Sequence, residues 1–105
     1  MSVSEIILET LLGLFAVYLG YRVGWTGSTA AIHRYHYAFV SEADRPKFCR
    51  RLGIAEIVLG AGIAAMPWLN LLTGSDLGYW IGAAAAAAAA AGIVCTIIKY
   101  NGRLF

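Results

Sequence analysis

Three stretches of the chain are apolar almost throughout: residues 6–25, 52–72 and 77–98. A helix that crosses a bilayer core of ~30 Å needs roughly 20 mostly apolar residues. Each stretch meets that length. The two connections between them differ sharply. Residues 26–51 form a long polar connection, whereas Thr73, Gly74, Ser75 and Asp76 are a tight turn that makes the second and third stretches an antiparallel hairpin. The pattern predicts an all-α protein, one membrane domain of three transmembrane helices with a short amphipathic cytoplasmic helix between the first and second spans. The first span is expected to be retained and not cleaved as a signal peptide. The N-terminus carries Glu5 and Glu9 and lacks the basic residues that open such a peptide.

Composition strengthens this reading. Of 105 residues, 60% are hydrophobic and 13% charged, against about 25% charged in average soluble domains. So small a chain has too little polar surface to cover itself in water. The net charge of +2 is too small to suggest nucleic acid. Cys49 and Cys95 lack paired spacing, so no disulfide framework is expected.

The position of Lys and Arg sets the expected orientation. The first connection holds Arg34, Arg45, Lys47, Arg50 and Arg51, and the C-terminal tail holds Lys99 and Arg103. The N-terminal segment and the second connection hold none. By the positive-inside rule the N-terminus is outside and the C-terminus cytoplasmic, as in a multi-pass protein of a bacterial inner membrane. Trp25 and Tyr100 then anchor the inner interface, and Trp68, Tyr79 and Trp80 the outer one. Both cysteines lie toward the reducing side and are expected to be free thiols.

Small residues recur at helical spacing. Glu9, Gly13, Ala16, Gly20 and Gly24 share a stripe on the first span. Gly53, Glu56, Gly60, Ala64 and Pro67 do so on the second, and Gly78, Gly82, Ala89, Gly92 and Thr96 on the third. Such faces let membrane helices approach closely. Gly13, Gly20, Gly53, Gly60 and Gly82 are the expected packing positions, and Leu59 is expected to face lipid. The all-alanine tract 83–91 offers either a packing face or mere compositional drift. The abundance of small residues also points to self-association or to a larger membrane partner. Pro67 is expected to kink the second span near its outer end.

Three ionisable residues lie within spans: Glu9, Arg22 and Glu56. Such residues are functional candidates by default. Arg22 lies off the glycine stripe and close to the inner end, where snorkelling to headgroups accounts for it; a pair with Glu56 is the alternative. Glu9 and Glu56 lie on the small-residue faces. Their distances from opposite boundaries put them about 18–20 Å apart along the membrane normal, too far for a direct proton hop.

In the connection, Ser41 followed by Asp44 has capping-box character. It predicts a helix that starts there and runs directly into the second span, with Pro46 just past its first turn, where it is expected to cost one hydrogen bond and bend the helix. Upstream, His33, Arg34, Tyr35, His36 and Tyr37 combine aromatic bodies with polar tips, a composition suited to the membrane interface and to docking, with anionic lipid favoured by the neighbouring basic groups. His33, His36 and Cys49 could supply three metal ligands, but no fourth is evident, and no metal or other cofactor is expected. No phosphate-binding glycine loop, catalytic carboxylate pair or nucleophile–base set is present, so enzymatic activity is not expected.

These residues also resemble a known pattern. Ile32, His33, Tyr35, His36, Tyr37, Val40, Asp44, Phe48, Gly53 and Gly60 resemble the I-H-x-Y-H-Y-x-x-V-x-x-x-D loop and glycine-rich span of an uncharacterised family of small bacterial integral membrane proteins, a domain of unknown function. The resemblance covers roughly residues 20–65; Pro46 and the alanine tract depart from it. It implies a membrane location and brings no activity. Two functions remain in view. One is a non-enzymatic accessory or assembly subunit that docks through its cytoplasmic loop. The other is a small oligomeric ion- or proton-coupled transporter that uses the intramembrane carboxylates.

Overall fold

The computed structural model describes residues 2–26, 40–41 and 43–102. Three helices account for nearly all of them: α1 (Val3–Thr26), α2 (Arg45–Thr73) and α3 (Leu77–Asn101). They hold 24, 29 and 25 residues. At 1.5 Å per residue each is longer than the ~30 Å core it has to cross, and each is apolar enough to do so. The fold is all-α with three transmembrane helices, as the hydropathy pattern predicts.

The helix ends follow from local side chains. Ser2 caps α1: its hydroxyl accepts from the Glu5 N–H at 3.2 Å and its carbonyl from the Ile6 N–H at 3.1 Å. At α2 the expected cap is displaced. Ser41 accepts the Asp44 N–H on its hydroxyl at 3.2 Å and the Arg45 N–H on its carbonyl at 2.9 Å, which closes a turn ahead of the helix. The helix itself begins one step later, with Asp44 at the N-cap. Pro46 therefore sits inside the first turn, where no intrahelical partner awaits its missing N–H. The expectation that Pro46 costs a hydrogen bond and bends the helix is corrected on that ground. The amphipathic stretch continues into the second span without a break, and the helix also continues through Pro67, whose ring is fully buried.

The turn between α2 and α3 is closed by Gly74, at φ 61° in the left-handed region. Thr73 returns its hydroxyl to the Leu69 carbonyl at 2.6 Å and meets the Ser75 hydroxyl at 2.9 Å. α3 ends at Gly102, whose N–H reaches the Ile98 carbonyl at 3.1 Å.

α2 is the central helix and packs against both others. Its contact with α1 is backbone against backbone. A Cβ on Gly53 would lie 2.5 Å from the Gly20 carbonyl oxygen, and one on Gly60 would lie 2.5 Å from that of Gly13. The two glycine pairs are each seven residues apart, so one antiparallel register serves both. Gly13, Ala16, Gly20 and Gly24 are buried on α1, whereas Leu11, Leu14, Phe15 and Tyr18 lie outside. A second face of α2 meets α3: Gly62 opposes Ala85, and Met66 lies over Gly82. The α1–α2 contact uses the small residues identified from helical spacing; in the α2–α3 contact Gly78 and Gly82 of α3 are among them, whereas Gly62 and Met66 of α2 lie off the expected stripe. Leu59, however, is half-buried; Ile54 and Val58 carry the outward face at that level. Leu59 is thus not the lipid-facing position expected. Within the alanine tract only Ala89 is fully buried, and most of the remainder is exposed.

At one end the helices enclose a core of larger side chains: Val23 of α1, Val40 of the connection, Phe48, Cys49 and Leu52 of α2, and Ile97 of α3. Phe48 is fully buried and meets the Tyr100 ring edge-on, centroids 6.3 Å apart.

Candidate functional site

The polar groups of the bundle are divided between its two ends. One end is basic. Arg50 donates its Nε to the Gly24 carbonyl at 2.9 Å and lays its guanidinium over the Trp25 ring, 4.2 Å from the centroid. Gly24 belongs to the last turn of α1, where carbonyls have no helical donor. Arg50 satisfies one of them from the neighbouring helix. On the other side of α2, Arg51 and Lys99 flank Tyr100 at 5.5 and 5.4 Å. A shallow recess of about 350 Å³ lies here, lined by Pro46, Lys47, Arg50, Arg51 and Tyr100. Arg51 also heads an apolar groove of about 370 Å³ between α2 and α3.

The opposite end is acidic and uncharged-polar. A cleft of about 610 Å³ is lined by Ser2 and Glu5 at the start of α1, by Asn70 of α2, and by Ser75, Asp76 and Tyr79 at the turn and the start of α3. Asn70 is buried and accepts the Gly78 N–H at 2.7 Å. Gly78 lies in the first turn of α3, so Asn70 caps that helix from α2. Trp68 donates to the Thr10 hydroxyl at 3.0 Å and ties α2 to α1 at the same level. The grouping of Trp25 with Tyr100 and of Trp68 with Tyr79 at opposite ends is the one expected of interface anchors.

The three intramembrane candidates are not brought together. Arg22 is exposed, 6.0 Å over the Tyr18 ring, and makes no ion pair with Glu56. Glu9 and Glu56 are both half-buried on the stripes expected of them. The glycine register sets Glu9 level with the part of α2 around Ala64 to Met66, so the carboxylates are about 15 Å apart along the helix axes. That is nearer than the 18–20 Å expected from the span ends and still beyond a direct hop. Oε2 of Glu9 is buried without a hydrogen-bond partner.

Asp44 starts α2 and is half-buried there, its carbonyl accepting the Phe48 N–H at 2.9 Å. The other docking candidates, His33, Arg34, Tyr35, His36 and Tyr37, lie outside the described residues. Cys49 is buried in the apolar core, and both cysteines are free thiols. Among the described residues no three His, Cys, Asp or Glu side chains are placed to share a metal.

Arg50, Asn70 and the Thr10–Trp68 pair escape sequence reasoning because each acts on a backbone or side chain remote in sequence. A signal did exist for Asn70: it is an amide in an apolar span, facing a turn eight residues away.

No protein-family model, curated protein or solved structure matches the chain. The motif resemblance therefore rests on its own residues. Of these, Val40 and Phe48 pack in the core, Asp44 stands at the N-cap position of α2, and Gly53 and Gly60 make the close contact with α1.

Proposed function

We propose that the protein is a small, non-enzymatic integral membrane subunit of the bacterial inner membrane that docks through the connection between α1 and α2. The observation that carries this reading is the division of labour in α2. Two of its faces meet α1 and α3 at backbone distance, while Lys47, Arg50, Arg51 and Lys99 gather at the end where the connection enters. Basic residues at that end, and none in the N-terminal segment or the α2–α3 turn, support a cytoplasmic location for it. The partner is a larger membrane protein or a second copy. The test is copurification in mild detergent. Replacing His33, Tyr35 and His36 together by Ala removes the aromatic and polar anchors and abolishes copurification. Glu9→Gln and Glu56→Gln leave it nearly intact.

A second reading, a small oligomeric ion- or proton-coupled transporter, draws on Glu9. A carboxylate oxygen buried without a partner is costly, and ionisable groups within spans are functional by default. In this case Glu9→Gln and Glu56→Gln stop ion-coupled uptake in vesicles, and the loop changes merely weaken it. The first reading is favoured because about 15 Å of mostly apolar helix separates the two carboxylates.

A further inference from the structure

The groove between α2 and α3 and the basic recess beside it meet at Arg51, which lines both. The groove is apolar along its length. Ile54, Ala55 and Val58 form one wall, and Ala88, Ala89 and Gly92 the other. It exists because Ala88, Ala89 and Gly92 of the α3 wall carry nothing larger than a methyl. Thr96 also lines it, but its hydroxyl is turned back to the Gly92 carbonyl at 2.6 Å, so Arg51 at the mouth is the free polar group among the described lining residues. The recess at its mouth is the reverse. Lys47, Arg50 and Arg51 line it, no carboxylate among the described residues does, and Lys99 lies across Tyr100 from Arg51. Arg50 is engaged with Gly24 and Trp25, which leaves Lys47 and Arg51 to face a ligand.

We infer that this composite site binds one anionic phospholipid, with its phosphate held by Lys47 and Arg51 and an acyl chain laid in the α2–α3 groove. Charge complementarity and the continuity of the two recesses select this ligand. An apolar channel that opens beside paired cations at the end of a membrane helix matches a molecule with a hydrocarbon tail and an anionic head. A soluble anion would use the recess and leave the groove empty. A packed helix from a second copy would use the groove and have no need of the cations. The site is independent of the docking reading, since it involves neither residues 27–39 nor the intramembrane carboxylates.

The experiment is native mass spectrometry of the full chain in detergent, with phosphatidylglycerol and phosphatidylcholine of identical acyl chains offered at equal concentration. The wild-type chain retains one phosphatidylglycerol under conditions that strip phosphatidylcholine. Lys47→Gln with Arg51→Gln weakens phosphatidylglycerol binding about thirty-fold and leaves phosphatidylcholine unchanged. Ala88→Leu, at an exposed α3 position, fills the groove and weakens both lipids without lowering the unfolding temperature in lipid-free detergent. Equal retention of the two lipids by the wild-type chain overturns the proposal. So does undiminished phosphatidylglycerol binding by the double variant, or an Ala88→Leu change that dissociates a dimer and spares lipid binding.

Discussion

Gly20 and Gly53 face each other across the α1–α2 contact with no room for a side chain on either: a Cβ on Gly20 would lie 2.6 Å from the Gly53 carbonyl oxygen, and one on Gly53 would lie 2.5 Å from that of Gly20. Gly13 and Gly60 repeat the arrangement seven residues along. Because the obstructing atoms are backbone, no rotamer change can relieve a larger residue. Gly53→Leu and Gly60→Leu are therefore expected to destabilise the bundle by at least the ~1–3 kcal/mol typical of overpacking. Val58→Ala, at a side chain 40% exposed, should change stability by less than about 0.5 kcal/mol. Unfolding midpoints in detergent compare the three; equal losses would remove the face assignment.

The α2–α3 hairpin depends on a different kind of contact. Asn70 supplies the acceptor for the buried Gly78 N–H. Asn70→Leu strands that donor and should cost about 1–3 kcal/mol. Asn70→Asp keeps an acceptor and places a negative charge at the start of α3, where the helix dipole favours it. Denaturant titration should rank the wild type first, Asn70→Asp next and Asn70→Leu last.

At the basic end, Arg50→Ala breaks the bond to the Gly24 carbonyl and uncovers the Trp25 ring. The cation–π part alone is worth about 0.5–1 kcal/mol at an exposed site. With Trp68 and Trp80 replaced by Phe, Trp25 becomes the sole indole, and its emission should shift on Arg50→Ala and shift less on Arg50→Lys. An unchanged spectrum in both variants would separate Arg50 from Trp25.

Much of this architecture is legible from spacing alone. The spans expected at 6–25, 52–72 and 77–98 lie inside α1, α2 and α3, because a run of apolar residues long enough to cross a membrane has few other fates. The glycine stripes are legible for the same reason: helical period decides which residues share a face. Spacing does not tell which partner a face meets. α2 uses Gly53 and Gly60 toward α1 and Gly62 and Met66 toward α3, and a helix packed on two sides leaves Leu59 half-buried where a one-sided helix would expose it. Nor does spacing place Pro46. One turn closed by Ser41 moves the start of α2 and converts an expected bend into an ordinary first-turn proline.

Orientation follows from charge. Reporters that fold on one side of the membrane, fused in turn to each terminus, should read an external N-terminus and a cytoplasmic C-terminus. Lys99 and Arg103 share the expected inner side with the five Lys and Arg of the first connection, and the N-terminal segment has none. Reporters that place both termini on one side would be incompatible with three spans.

The central claim is that the connection between α1 and α2, and not the lipid-facing surface of the bundle, meets the partner. Photo-crosslinking in intact membranes tests it most directly, with a photoreactive phenylalanine analogue placed at Tyr35, at Tyr37 and, for contrast, at Phe15, which is 58% exposed on the outer face of α1. The account predicts a discrete protein adduct from positions 35 and 37 and lipid adducts alone from position 15. A protein adduct from position 15, with none from the connection, would contradict it.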